Sequence, residues 1–191
     1  NVGRIYRYNL LTDQFELYLD LAEHIYMGLV LHYLFIDSQE QLWIGLNSGL
    51  YCCLLGETPQ LIDSDCHVTY ITELPQSMAI GTTCDLRIYS KDRNLLQKLC
   101  PDTYVQSLLP LPNKEILLIG TFNCGVKSIS LSSWQEQPVK NGSLPHTPIR
   151  SMIEMTPSTV LLGFDGDGVY TYNLSSGEAE PLFTRTNRML T

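Results

Sequence analysis

Much of what defines this 191-residue chain is missing from it. Charged residues make up only 17%, and twelve scattered Lys and Arg face twenty Asp and Glu, for a net charge of −8. Phosphate backbones are held by clustered Lys and Arg, so no nucleic-acid partner is expected. No apolar run reaches the ~20 residues that a bilayer span requires. The longest, "IYMGLVLHYLFI" (Ile25 to Ile36), is broken by His32, and no membrane contact by this segment is expected. The six cysteines (Cys52, Cys53, Cys66, Cys84, Cys100 and Cys124) form no CxxC pair, which removes zinc-ribbon and thioredoxin-type readings. Mostly buried thiols are expected instead, with Cys52 and Cys53 on opposite faces of one strand.

Catalytic motifs are equally scarce. The nearest approach to a nucleophile elbow, "GLNSG", places Ser48 one position late, and no HExxH occurs. "DGDG" (Asp165 to Gly168) lacks the further spaced oxygen ligands of a calcium loop and reads as a turn. The acids Asp37, Glu40, Glu73 and Glu154 fall in expected turns and are read as solvated. No catalytic residue, cofactor or metal site is expected.

What is present is a repeat. "LWIGLNSGLY" (Leu42 to Tyr51) returns as "MAIGTTCDLRIY", "LLIGTFNCGV" and "VLLGFDGDGV". The first glycines, Gly45, Gly81, Gly120 and Gly163, are 36, 39 and 43 residues apart, close to the ~40–50 residues of a four-stranded propeller blade. Each unit offers four short runs of β-branched and aromatic residues punctuated by Ser, Gly, Pro and Asn. In the last copy these are "IRSMIEM", "TVLLGF", "GVYTYNL" and "EPLF". In the third they are "YVQSLLPL", "KEILLIG", "GVKSISL" and "QPVK". "DRNLLQKL" (Asp92 to Leu99) resembles a helical turn by itself but in register is a hairpin and outer strand. The turn after the second strand needs positive φ, supplied by Gly49, Gly125 and Gly168, with Asp85 replacing glycine in the second copy.

The expected fold is therefore all-β, a β-propeller of four-stranded antiparallel blades. "VGRIYRYNLLTDQFELY" matches the second half of a unit. The expected organisation is a half blade over 1–20, blades over about 29–62, 67–99, 104–139 and 148–183, and the start of a further strand over 184–191. About four and a half blades make an incomplete ring or part of a larger one, of about seven blades, since propellers remove their sheet edges by closing.

The form "LWIGxxxGL", followed by a polar turn and an aromatic-bearing strand, resembles the two-component regulator propeller repeat. "LWIGLNSGLYC" is the best copy and "MAIGTTCDLRIYS" the most degenerate; the Gly-His and Trp-Asp pairs of WD repeats are absent. The resemblance implies the periplasmic sensor region of a bacterial hybrid two-component system of Bacteroides type. In such systems two propellers and a β-sandwich precede a membrane span, a histidine kinase, a receiver and a DNA-binding domain. It further implies an oligosaccharide ligand, other blades or a second propeller of the same parent chain as partners, and a homodimeric parent. None of the kinase or receiver parts lies in these residues.

Strand alternation puts the loop after each second strand at the same end as the start of each first strand, where the resemblance to a propeller sets a channel mouth. Counting back 13, 12, 14 and 13 residues from the key glycines aligns His32, Thr69, Gln106 and Arg150 among apolar neighbours. His67, Tyr104 and His146 lie just upstream, and Asn47, Asn123 and Asp165 in the loops. A constant scaffold with one varied polar position is how a binding surface is built, and aromatic faces with amide, imidazole and guanidinium donors suit sugars. The same side chains could equally hydrogen-bond one another. A structural or protein-docking propeller is the alternative function, and a propeller carbohydrate-active enzyme the weaker one.

Overall fold

The apolar runs of the repeat are too short for helices and rich in β-branched residues, and they fold as strands throughout. The computed structural model describes residues 3–21, 30–142 and 144–183. The expected strand over 184–191 lies outside the described residues. The chain forms two compact units, 1–68 and 69–191.

In the first unit, β1 (Arg4–Asn9) and β2 (Gln14–Asp20) form an antiparallel hairpin. The strands β3 (Leu31–Ile36), β4 (Gln41–Leu46), β5 (Gly49–Leu54) and β6 (Gln60–Asp63) follow as a four-stranded sheet in chain order. Leu42, Ile44, Leu46, Cys53 and Leu21 are buried together with Ile5, Tyr18 and Leu19 packed on them.

The second unit carries three more sheets of the same order. They are β7 (Val68–Glu73), whose first residue is the unit boundary, with β8 (Ser77–Thr82), β9 (Leu86–Ser90) and β10 (Leu95–Leu99); β11 (Val105–Leu111), β12 (Ile116–Thr121), β13 (Val126–Ser130) and β14 (Glu136–Gln137); and β15 (Ile149–Thr156), β16 (Thr159–Phe164), β17 (Gly168–Asn173) and β18 (Ala179–Phe183). The fold is thus all-β, made of four-stranded antiparallel sheets of the propeller-blade kind. "DRNLLQKL" supplies the outer strand β10. The fourth strand of the third copy is shorter than "QPVK" suggested. Only Glu136 and Gln137 pair with β13, because Pro138 has no N–H to offer a ladder.

The continuous apolar character of the second strand of each unit has a direct cause. Side chains alternate between faces, and in β12 both faces are covered. Leu117 and Ile119 pack with Leu74, Ala79, Ile88 and Val105. Leu118 points the other way, toward Ile149, Val160, Leu162 and Tyr172. Each fully buried aliphatic side chain here contributes about 1.5–3 kcal/mol relative to exposure.

The first glycine of the repeat has a role that lies between sheets. A Cβ at Gly81 would stand 2.5 Å from Val105 Cγ1, and one at Gly120 would stand 2.9 Å from Ile149 Cγ2 and collide with Ser107 Oγ. The first strand of the following sheet rests on the glycine of the one before. A hydroxyl beside each glycine completes the junction. Thr69 Oγ1 donates to the Val105 carbonyl and Ser107 Oγ to the Ile149 carbonyl, both at 2.7 Å. Ser107→Ala is expected to lower the unfolding free energy by about 1 kcal/mol, since the Ile149 carbonyl loses this donor. Urea unfolding measures it, and an unchanged midpoint would contradict this role.

The turn glycines behave as their spacing implies: Gly49, Gly125 and Gly168 all have positive φ (149°, 69° and 91°). Asp85 does not act as their substitute. It is not among the positive-φ residues. Instead Thr82 Oγ1 closes that turn, donating to the Asp85 carboxylate at 2.6 Å and accepting the N–H groups of Cys84 and Asp85. The Asp85 carboxylate in turn holds the buried guanidinium of Arg87 at 3.0 Å.

At the opposite end of the first unit's four-stranded sheet, Asp37 departs from the expectation of a solvated turn acid. It is 5% exposed. Its carboxylate accepts the backbone N–H of Gln39 and of Gln41, both at 2.9 Å, the Gln41 amide, and the indole N–H of the fully buried Trp43 at 2.8 Å. Glu73 also has a partner, the ammonium of Lys91, while Glu154 is exposed. All six cysteines are thiols, with Cys52, Cys53, Cys66 and Cys100 buried and Cys84 and Cys124 exposed.

Candidate functional site

The polar position that varies between repeats has a backbone origin. In β3, Leu31 pairs with Leu46 and Tyr33 with Gly45, so His32 is skipped. In β11 the same slip between Val105 and Ser107 leaves out Gln106. In β15 the slip between Ile149 and Ser151 leaves out Arg150. Each is a β-bulge, and a bulge redirects the side chain of the extra residue away from the regular alternation. His32 and Arg150 are exposed at these bulges, while Gln106 is buried.

Thr69 is out of step with these three. Its hydroxyl lies against Gly81, as those of Ser107 and Ser151 lie against Gly120 and Gly163. It therefore corresponds to the junction hydroxyls, and the residue corresponding to His32, Gln106 and Arg150 is the fully buried Val68. Val68 lies 13 residues before Gly81, the same count as His32 and Arg150 before their glycines, so it is the polar side chain of Thr69, and not the count, that suggests the wrong residue.

In the second unit the structure brings Gln106, Arg150 and Asp165 together. Arg150 donates from Nε at 3.1 Å and Nη2 at 2.7 Å to Asp165 Oδ2, and from Nη1 at 2.5 Å to Gln106 Oε1. Arg150 and Asp165 are about half exposed, 54% and 52%, while Gln106 is 8% exposed. A solvent-facing ion pair of this kind adds little to stability, so the cluster is a poor stabilising device. Its accessible edge offers a carboxylate oxygen, Asp165 Oδ1, beside an oriented guanidinium. Asp167, in the same turn, accepts a hydrogen bond from Thr147 Oγ1 at 2.6 Å.

Tyr104, two residues before the bulge, stacks on Phe122 with ring centroids 5.1 Å apart and planes inclined by 9°. The Phe122 N–H donates to the Tyr104 carbonyl at 3.0 Å, which fixes the pair. Phe122 is 43% exposed. Sequence reading missed it, although its position as the first loop residue after Thr121 was available as a signal. Asn123 is exposed, with its Oδ1 on the Cys124 thiol at 3.2 Å. His146 is exposed and takes no part in the Arg150 hydrogen bonds.

In the first unit, His32 and His67 face each other, Nε2 to Nε2 at 2.9 Å. Burial first, and then the charge of His67, lower the pKa of His32 below its ordinary value. Asn47 is occupied structurally: Oδ1 accepts the Val30 N–H at 3.0 Å, and its own N–H donates to the Val30 carbonyl at 3.1 Å. The ten candidates thus divide into two groups, one in each unit. None of them lines the apolar groove of about 670 Å³ in the first unit, which is bounded by Ile5, Tyr18, Leu34, Ile36 and Leu42. Among the described residues, no group of three or more His, Cys, Asp or Glu is placed to hold a metal ion, and no helix is long and apolar enough to cross a membrane.

No family model matches the chain, and no curated protein matches it in sequence. Its likeness is to solved structures. One is the extracellular domain of BT4673 from B. thetaiotaomicron, described as a one component system, with a TM-score of 0.76 at 17% identity over 98% of this chain and 26% of that one. A second structure of that extracellular domain, described as belonging to a hybrid two component system, gives 0.67 at 22% identity over 86% of this chain and 23% of that one. The Mitotic Checkpoint Complex gives 0.73 at 10% identity over 93% of this chain and 58% of its own. The chain therefore spans about a quarter of the BT4673 chains it resembles. At these identities the likeness is one of fold.

Proposed function

We propose that this chain is a non-enzymatic, ligand-sensing β-propeller segment of an extracytoplasmic two-component sensor. It responds to oligosaccharides in the periplasm and relays to a histidine kinase outside these residues. The observation that carries the reading is the half-exposed Arg150–Asp165 pair anchored on the buried Gln106. It shares the loop end of the sheets with the stacked Tyr104–Phe122 platform. A ring face for stacking with planar donors and acceptors at the same end is the combination that sugar recognition uses. The extracellular domains of BT4673 support a sensor context. Binding would favour one arrangement of the parent's propellers over another, and the kinase, dimeric with its partner copy, would read that shift.

The test is calorimetric titration of neutral and acidic oligosaccharides into the chain and into its Tyr104→Ala and Arg150→Ala variants. We expect saturable heat from at least one glycan class, lost in both variants at unchanged melting temperature. No heat from any class, or equal heat from the variants, would remove the reading. A protein-docking propeller is the second reading, and one observation favours it: Arg150 already has hydrogen-bond partners at Nε, Nη1 and Nη2. Under it, both variants would leave signalling by the parent protein intact.

A further inference from the structure

We propose that His32 and His67 form a two-histidine chelate for a divalent transition metal of tetragonal preference, copper(II) or nickel(II). The argument is geometric. The two Nε2 atoms are 2.9 Å apart and the ring centroids 4.6 Å, with planes inclined by 42°. Two imidazole nitrogens bound in cis positions at a right angle, with bonds of about 2.05 Å, sit about 2.9 Å apart, whereas a tetrahedral ion spreads them to about 3.3 Å. Ring centroids lie about 1.2 Å behind the ligating nitrogen, so the right-angled chelate also puts them about 4.6 Å apart. A linear N–H···N hydrogen bond of the same length would put them about 5.3 Å apart. Both separations are those of a right-angled chelate.

The placement of both residues supports a built pair. His32 is the bulge residue of β3. His67 lies between the buried Cys66 and Val68, and Cys66 Sγ bonds the Asp63 carbonyl. The exposure of His32 leaves an entry path. Among the described residues no third His, Cys, Asp or Glu joins the pair, so water completes the coordination. The two histidines are 35 residues apart in sequence, outside any metal-binding spacing motif.

The experiment titrates copper(II), nickel(II) and zinc(II) chlorides into the intact chain in a non-coordinating buffer. We expect one copper ion per chain, and nickel bound more tightly than zinc. Losing one arm of a chelate weakens binding on the order of 10²-fold, and this loss is expected for His32→Gln and for His67→Gln, but not for His146→Gln. Because a variant could fail to fold, a second measurement uses the unaltered protein. Substoichiometric copper(II) should broaden the imidazole resonances of His32 and His67 before those of the other histidines. Absence of copper binding, unaltered affinity in folded His32→Gln or His67→Gln, zinc bound more tightly than nickel, or first broadening elsewhere would each overturn the proposal.

Discussion

Gly120→Val is expected to destabilise the chain by about 3 kcal/mol or more, at the upper end of what overpacking costs. The added branches have nowhere to go. Even a single Cβ at Gly120 would meet Ile149 Cγ2 at 2.9 Å and Ile149 Cβ at 3.0 Å, besides colliding with Ser107 Oγ. Both neighbours are fully buried, and the Ile149 atoms belong to the first strand of the next sheet, so relief requires moving that strand away. Separation would also break the Ser107–Ile149 hydrogen bond and open the cluster of Leu111, Leu118, Val160 and Leu162. Gly142→Ala is the matched control. Nothing lies within 4 Å of its Cβ position, and a change within about 0.5 kcal/mol is expected there. Equal urea midpoints for Gly120→Val and Gly142→Ala would show that the repeat glycine is not a packing requirement.

The second large effect is expected at Asp37. Asp37→Ala removes the acceptor of the Gln39 and Gln41 backbone N–H groups, the Gln41 amide and the Trp43 indole. Gln41 and Trp43 are buried, so water cannot readily replace the carboxylate for them. Each buried donor left unsatisfied costs about 1–3 kcal/mol, and hydrogen bonds to a charged group lie at the upper end. A loss of about 3 kcal/mol is expected by chemical denaturation, with the Trp43 fluorescence maximum shifting as its surroundings loosen. Asp37→Asn should fall between, because one amide oxygen can keep part of the network. A fully stable Asp37→Ala variant would return Asp37 to the ordinary solvated turn acid that its sequence position suggested.

The sheets were legible because their cause is short-ranged. The four runs of the last unit appear as β15 to β18 within a residue or two at either end, since alternation and turn chemistry act over a few residues. At β14 the pairing stops at Gln137, because Pro138 offers no N–H. The candidate site was less legible. Gln106, Arg150 and Asp165 were each singled out, but nothing local shows that Arg150 reaches across 44 residues to Gln106. Thr69 invites grouping with them by its polarity alone, since the matching position, 13 residues before Gly81, holds the apolar Val68. Phe122 passed unnoticed because a loop aromatic becomes a platform only when Tyr104 comes beside it.

What the amino-acid order determined by itself is the repeated sheet: four strands per unit, turn glycines with positive φ, and an apolar second strand. What only the tertiary structure decided is which residues answer one another. Gly81 and Gly120 are seats for the first strand of the next sheet. Asp37 is a buried acceptor rather than a surface acid. His32 and His67 converge although 35 residues separate them. Periodicity is written within one strand, whereas these relations depend on the register of sheet against sheet, which a one-residue bulge alters.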